Sequence, residues 1–383
     1  AGATVIGVGE RPVGYLDREM QGWLSDYHQV GSVVDEGGLL AAVRQAQGRR
    51  WIDRLEATVE AHISAAAAVR EATGIPGTSV HTAFLCRDKP AMKDAMRKAG
   101  IPCAQSARAA DAGDARAFAD AIGFPLIIKP LAGAGAQATF RVDDAAGLER
   151  VIRESGLADG MAVAIEEFID GHEGYLDTLT IDGEVVHEFI SHYYPNVLTA
   201  MRERWISPQM VTTNRIDAPG YGEVREMARR VNRALGIGTS ATHMEWFASS
   251  RGLRFSEIGC RPPGVGQWDV YNAANDFDLY YEWAHALVQG RPSRAPSRRF
   301  AAGMIALRPD RDGHIVGYSG VEAIYERYGD NIVAAHFPDR GAPTQPVAAG
   351  YMANAWMRLR HPDYDRLRGI MDDVGETVAV HAG

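Results

Sequence analysis

Short β-branched runs alternate with Ala-rich amphipathic stretches along the first half of the chain, a pattern of layered α/β structure. Residues 4–8 (TVIGV) stop at Gly9 and read as a first strand, with a helical segment expected after it. Leu55, Val59, Ile63 and Val69 fall on one stripe, which predicts a long amphipathic helix over 54–71, ended by Gly74 and Pro76. Asp88 is placed to cap the next helix, with Pro90 in its first turn. Its buried stripe is expected to be Met92, Ala95, Met96 and Ala99, and Gly100 with Pro102 its stop.

The middle of the chain reads as an antiparallel α+β unit. Residues 125–129 (PLIIK) form a buried strand, 133–137 (GAGAQ) a small flexible loop and 139–142 a returning strand, after which Asp143 or Asp144 caps a helix to Glu154. Strands follow at 162–169, 176–181 and 185–191, the last two joined by an Asp182-Gly183 turn. A helix over 223–235 stops at Gly236, and strands at 242–248 and 253–258 make a hairpin around Ser250-Arg251-Gly252. The Pro, Ser and Arg-rich stretch 291–300 reads as a crossing, followed by short strands, turns and a final helix within 363–371.

Composition narrows the function classes. With 383 residues the chain is long enough for two or three domains, and its 46% hydrophobic content suits a soluble globular protein. Its 40 Lys and Arg against 49 Asp and Glu give a formal charge of −9 without a dense basic run, which argues against a nucleic-acid surface. Cys86, Cys103 and Cys260 are too few and too scattered for a disulfide framework or a CxxC zinc site, so a reducing compartment is expected. The most apolar stretch, 63–69, falls far short of the roughly 20 residues that span a bilayer. A cytoplasmic enzyme or binding protein without membrane contact is the expectation.

The hairpin carries the sharpest chemistry. A three-residue loop with Gly252 in the left-handed position would pair Ser249 with Leu253 and set Glu245 opposite Glu257. Opposed side chains lie about 5 Å apart at Cβ, so the two carboxylates repel unless a cation such as Mg²⁺, bridging to phosphate, neutralises them. The alternative is a solvent-facing sheet whose acids are hydrated. In this register His243 stands beside Glu245 and opposite Gly259, and Arg261 continues the Glu257 side. An Arg near two acids serves equally as a salt bridge or as an anion holder, and a lone His is more often structural than catalytic. Lys89 at a helix start and Lys129 before the glycine loop form a second group, placed either as surface cations or against phosphates. The glycine loop is neither a Walker loop nor a dinucleotide fingerprint, Gly7-Val8-Gly9 lacks the third glycine, and no GxSxG elbow occurs.

Taken in order, DKPAMKDAMRKAGIP (88–102), FPLIIKP (124–130), AIEEFIDGHEGYLD (164–177), THMEW (242–246) and FSEIGCRPPG (255–264) resemble the ATP-grasp superfamily. The resemblance implies an ATP-grasp fold of mixed α/β and α+β class. It places an N-terminal α/β domain at 1–87, an ATP-grasp domain at 88–290 with lobes near 88–165 and 166–290, and a small C-terminal α+β domain at 301–383. ATP would lie between the lobes with Lys89 and Lys129 on its phosphates and the loop carrying Gly133, Gly135 and Gln137 closing over them. The adenine would meet Glu166, Glu167, Phe168 and Ile169, largely through backbone groups, and Glu173 the ribose. His192, which faces the opposite side of its strand from His187, would approach the phosphates. Glu245 and Glu257 match the ligands of Mg²⁺, with two ions expected, and Arg261 matches the arginine that steadies the transferred phosphate.

One position departs from the pattern. Gly259 stands where many members carry Asn, and the expectation is that it makes room for His243, which joins Arg261 as a catalytic candidate. The EIGxRP pattern after HxE is similar to the branch that ligates amino acids or related carboxylates to amines, and 313–333 resembles that branch's extra domain. The implied reaction turns a carboxylate and ATP into an acyl phosphate and ADP, and an amine then attacks to give an amide and phosphate. Small-molecule carboxylates and amines are the implied partners, and a homodimer is compatible. Gly264 and Trp268 would border the substrate pocket, and Arg202 or Arg204 would read an acidic substrate. The alternatives are another ATP-grasp ligation, of carboxylating or purine-pathway type, and a nucleotide-binding protein without turnover.

Overall fold

The computed structural model describes residues 1–132 and 138–383; Gly133, Gly135 and Gln137 of the expected phosphate-covering loop lie outside the described residues. At the N-terminal end, β1 (Val5–Gly9) and β2 (Leu24–Gln29) pair in parallel. Between them runs only a short helix, Arg18–Trp23, capped by Asp17. Helices Glu36–Gln47 and Ile63–Thr73 pack together through Leu39, Val43, Ala65 and Val69. The second helix is shorter than its apolar stripe predicts. Residues 51–58 have no regular structure and a 3-10 turn, Glu60–His62, precedes Ile63. The Arg70 side chain explains the difference, because its Nε donates to the Leu55 carbonyl (2.7 Å) and holds that segment off the helix axis. Gly74, at φ 71°, ends the helix as expected.

The first lobe is a sheet of β3 (Ser106–Ala109), β4 (Leu126–Pro130), β5 (Phe140–Val142) and β6 (Val163–Glu167), in the order β3-β6-β4-β5 and antiparallel throughout. Helices Ala112–Ile122 and Ala145–Glu154, capped by Asp111 and Asp144, join it around Leu126, Ile128, Val142, Leu148, Val151 and Ile165. The helix Lys89–Lys98 begins at Asp88, whose carboxylate accepts from the Ala91 N–H, and buries Met92 and Met96. Ala99, expected on the buried stripe, is exposed beyond the helix end, and Lys93 is buried instead. Positions 89, 92, 93 and 96 therefore make the inward face, at the i, i+3, i+4, i+7 spacing of one helical stripe.

The second lobe is built on β7 (Gly171–Ile181), β8 (Glu184–Tyr194), β9 (Gln209–Thr212), β10 (Ser240–Ser249) and β11 (Gly252–Gly259). Asp182 and Gly183, both at positive φ, make the expected turn between β7 and β8. The sheet does not stop there. After the irregular stretch 291–300, β12 (Ala301–Leu307) pairs with β9. β13 (Ile315–Ser319) leaves the sheet, while β14 (Ile332–His336) and β15 (Ala355–His361) extend it to the eight-stranded order β11-β10-β7-β8-β9-β12-β15-β14. The last strand, β16 (Ala379–Ala382), pairs with β13, and helix Tyr364–Thr377, capped by Asp363, covers the C-terminal strands through Leu367, Ile370, Met371 and Val374.

On one face of the large sheet Leu176, Ile190, Met244, Trp246, Phe255 and Ile258 pack against helices Lys89–Lys98 and Gly222–Leu235, the latter ended by Gly236 at φ 68°. This close packing needs a glycine in β7. A Cβ on Gly174 would stand 2.3 Å from the Trp246 ring and 2.8 Å from the Ser191 carbonyl. Gly174→Ala is therefore expected to destabilise the protein by about 1–3 kcal/mol through overpacking, read as a lower urea midpoint with an unchanged m-value.

Candidate active site between the lobes

A cavity of about 910 Å³ lies between the two sheets, bordered by the segments 58–60, 196–203, 262–265 and 348–351. Its wall of carboxylates comes from the β10–β11 hairpin. The loop is one residue shorter than expected, so Ser249 pairs with Gly252 rather than with Leu253, and Gly252 sits at φ 88°. A β-bulge then restores the count. Ser256 and Glu257 together face Glu245, and beyond them Met244 meets Ile258 and His243 meets Gly259, the pairing expected from sequence. Both glutamates line the cavity, across the bulge from each other.

Three lysines gather around Glu257 and Glu166. Lys129, at the end of β4, lies 3.1 Å from Glu166 and 3.5 Å from Glu257; Lys89 lies 3.7 Å from Glu257; Lys93 lies 3.5 Å from Glu166. Lys93 was not legible as a site residue, although its place four residues after Lys89 puts both ammonium groups on one helix face. Burial alone would lower the Lys129 pKa, but Glu166 and Glu257 outweigh it and hold that lysine charged. Burial acts against the ionised form of Glu257 too, yet Lys89 and Lys129 bring its pKa down to about 2. In Glu166 burial is likewise outweighed, by Lys129 and Lys93, so its pKa is lowered. Lys93 is the exception, because burial prevails over the pull of Glu166 and lowers its pKa. Glu166, expected to meet adenine through its backbone, thus also commits its side chain to the cation cluster.

His243 is fixed from behind. Its Nδ1 donates to Asp177 Oδ1 (2.6 Å), the residue directly opposite it on β7, and its Nε2 lies 3.6 Å from Glu245 Oε1. The Tyr271 hydroxyl occupies the other Asp177 oxygen. Burial disfavours the imidazolium, but Asp177 and then Glu245 reverse that and raise the His243 pKa to about 9. The atoms nearest a Cβ at Gly259 would not be those of His243, its cross-strand partner. A Cβ at Gly259 would instead meet Glu60 Oε2 at 3.4 Å and the Arg261 side chain at 3.5 Å. That space belongs to an ion pair absent from the sequence reading, in which Arg261 Nε donates to Glu60 Oε2 (2.7 Å) and Arg87 holds the Glu60 carbonyl. Glu173 accepts from the Val197 N–H (2.7 Å), and burial together with the Glu245 charge raises its pKa to about 8.

The other expected residues divide. Glu167, Phe168, Ile169 and Gly264 line the cavity, with the Arg141 guanidinium 4.3 Å from the Phe168 ring centroid and Arg251 paired to Glu167 at 3.0 Å. Arg202 lines it as well, but its Nη2 donates to the Thr139 carbonyl (2.8 Å). Three residues stand elsewhere. His192 projects from the opposite face of β8, where it bonds His172 (2.9 Å) and the Tyr221 hydroxyl (2.8 Å) and packs on Trp246. Alternation puts His187 on the cavity's face of the sheet instead, though it is buried beside Glu282. Arg204 turns away to Asp312 (2.6 Å), and Trp268 is packed into an apolar cluster with Trp283. Among the described residues no three His, Cys, Asp or Glu side chains form a ready-made metal cage. Two carboxylates completed by phosphate oxygens and water are the usual Mg²⁺ arrangement, so Glu245 and Glu257 fit that ion.

Comparison with known proteins agrees with this geometry. Residues 94–276 match the ATP-grasp domain. The chain is 29% identical over 250 residues to the L-arginine-specific L-amino acid ligase of Bacillus subtilis, an alignment covering 64% of this chain and 60% of that protein. The chain thus spans less than two thirds of that relative's length. Among solved structures, the L-amino acid ligase from Bacillus licheniformis superposes with a TM-score of 0.78 at 16% identity, over 100% of this chain and 99% of the other. N5-carboxyaminoimidazole ribonucleotide synthetase from Thermotoga maritima gives 0.72 at 17% identity, over 100% and 94%. Both share the fold. Residues 94–276 thus match an ATP-grasp domain, and the chain is similar to the L-amino-acid-ligase-like, carboxylate–amine branch of that superfamily.

Proposed function

We propose that the protein is an ATP-dependent ligase that joins a small carboxylate to an amine and releases ADP and phosphate. The observation that carries this reading is the cluster of Lys89, Lys93 and Lys129 against Glu257 and Glu166, with Glu245 across the bulge and Arg261 on the same wall. Phosphoryl transfer asks a protein mainly for positioning and for neutralisation of charge, and this wall offers both. Bound Mg²⁺ and ATP would supply the phosphoryl group that activates the carboxylate. Glu245 and Glu257 would hold the ion and the three lysines the phosphates, which would take over the places their carboxylate partners now fill. The backbone of Glu167, Phe168 and Ile169 would receive the adenine, and Glu173 the ribose.

Arg261, fixed by Glu60, is positioned to orient the carboxylate and balance the charge that builds on it as it meets the phosphoryl group. The amine then attacks the acyl phosphate, the carbon–oxygen bond to phosphate breaks, and the amine proton leaves to a base or water. An acyl phosphate is open to hydrolysis, so the walls contributed by both lobes have a chemical purpose in excluding water. The 29% identity to an L-amino acid ligase is what supports an amide product.

Mg²⁺-dependent ADP release, measured over pairs of amino acids, should rise for at least one pair and fall by about a hundredfold or more in Glu257→Ala, in line with the loss of a principal electrostatic contact. Unchanged release in that variant would count against the metal site. His243→Ala should lower the rate at saturating Mg²⁺ by roughly 10–100-fold, as losses behind a metal ligand do. Asp177→Ala, which removes the nearer of the two anions at His243 and leaves the buried Tyr271 hydroxyl without its acceptor, should cost about 3–5 kcal/mol in urea unfolding.

A further inference from the structure

Behind the carboxylate wall a row of buried polar groups runs from the helix Gln267–Asn275 to Glu245. The helix follows the cavity-bordering segment 262–265 and is tied to the large sheet at two positions four residues apart. Gln267 Nε2 donates to the Thr212 hydroxyl (3.0 Å) on β9, and the Tyr271 hydroxyl donates to Asp177 Oδ2 on β7. The Tyr271 ring lies flat on that of Phe189, with centroids 4.3 Å apart and planes at 11°. Asp177 is 1% exposed, and its other oxygen accepts the Nδ1–H of His243 at 2.6 Å. His243 in turn presents Nε2 to Glu245 Oε1 at 3.6 Å. His243 and Glu245 line the cavity, with Asp177 and Tyr271 behind them.

We propose that Tyr271 and Asp177 are positioning residues for the metal site, which hold Glu245 in place through His243. The inference rests on the metal-dependent ligase reading and names the residues that support its ion. Donors engage both oxygens of Asp177, so its carboxylate is locked and the imidazole is kept with Nδ1 inward and Nε2 toward Glu245. The charge of Asp177 also balances the positive charge that His243 brings. Glu245 thereby gains a fixed neighbour and keeps its own charge for a cation.

Calorimetric titration of the full chain with ADP, once in excess Mg²⁺ and once in EDTA, tests this without turnover. The ratio of the two affinities is the gain that Mg²⁺ provides. That gain should fall by about tenfold or more in Tyr271→Phe, which keeps the ring on Phe189 and removes only the hydroxyl, as losses of the partners of a metal ligand do. Asp177→Asn, which keeps the shape and removes the charge, should lower it as far. Binding in EDTA should stay within about twofold in both variants, whereas a merely structural role would weaken the two titrations alike. Tyr194→Phe, which removes a hydroxyl bonded to Tyr364 outside this row, should leave the gain within about twofold. In the His243→Ala background, where the row is already cut, Tyr271→Phe should change the gain by less than about twofold. An unchanged gain in Tyr271→Phe and Asp177→Asn, an equal loss in Tyr194→Phe, an undiminished effect of Tyr271→Phe in the His243→Ala background, or no gain in the unmodified chain would overturn the proposal. The two readings fail separately. A gain that depends on Tyr271 with no amine-stimulated ADP release would overturn the ligase and leave the positioning, whereas amine-stimulated release with a gain indifferent to Tyr271 would do the reverse.

Discussion

The contact between Lys129 of the first lobe and Glu257 of the second ties the molecule together at its cavity. Charges this deep are held only where each meets an opposite one: at an effective dielectric constant of about 20, two unit charges about 4 Å apart attract by roughly 4 kcal/mol. Lys89, Lys93 and Glu166 extend the contact into a network with three cations and two anions. Its excess of positive charge suits a polyanion, and the anions it contains keep the lysines ordered in the absence of one.

The large sheet supplies the opposite sign. Its β10–β11 register makes a carboxylate wall through two compensating irregularities, a short loop and a bulge two-thirds of the way along the hairpin. Without the bulge the short loop would shift every later residue of β11 by one and turn Glu257 to the apolar face with Met244 and Trp246. The bulge therefore decides which side of the sheet is chemical. Behind it, the packing of Trp246 on Gly174 and of Tyr271 on Asp177 fixes the strands that carry Glu245 and His243.

Elements remote in sequence complete the site. Glu60 arrives from the N-terminal part of the chain to hold Arg261, and Tyr351 arrives from the C-terminal part to line the cavity. The cavity is thus shaped by the whole chain, including segments on either side of the 94–276 match. Likeness in fold to an amino acid ligase and to a ribonucleotide synthetase at similar TM-scores fits this picture, since one fold can carry different sites.

Much of the fold was legible because local rules govern it. Asp88 and Asp144 cap helices by bonding N–H groups three residues on, and Gly74 and Gly236 end them in the left-handed region, all within a few residues of chain. The motif order likewise exposed Lys89, Lys129, Glu245, Glu257 and Arg261, each of which lines the cavity. Tertiary structure decided the rest. Lys93 reads as a surface residue until Glu166 comes from another strand to neutralise it, and nothing local says that β10 lies beside β7, where Asp177 meets His243. The same holds for Glu60 at Arg261, and for which of the two faces of β8, that of His187 or that of His192, borders the cavity. A short-range pattern specifies periodicity and turns, whereas the partner of a buried charge is set by which distant strands become neighbours.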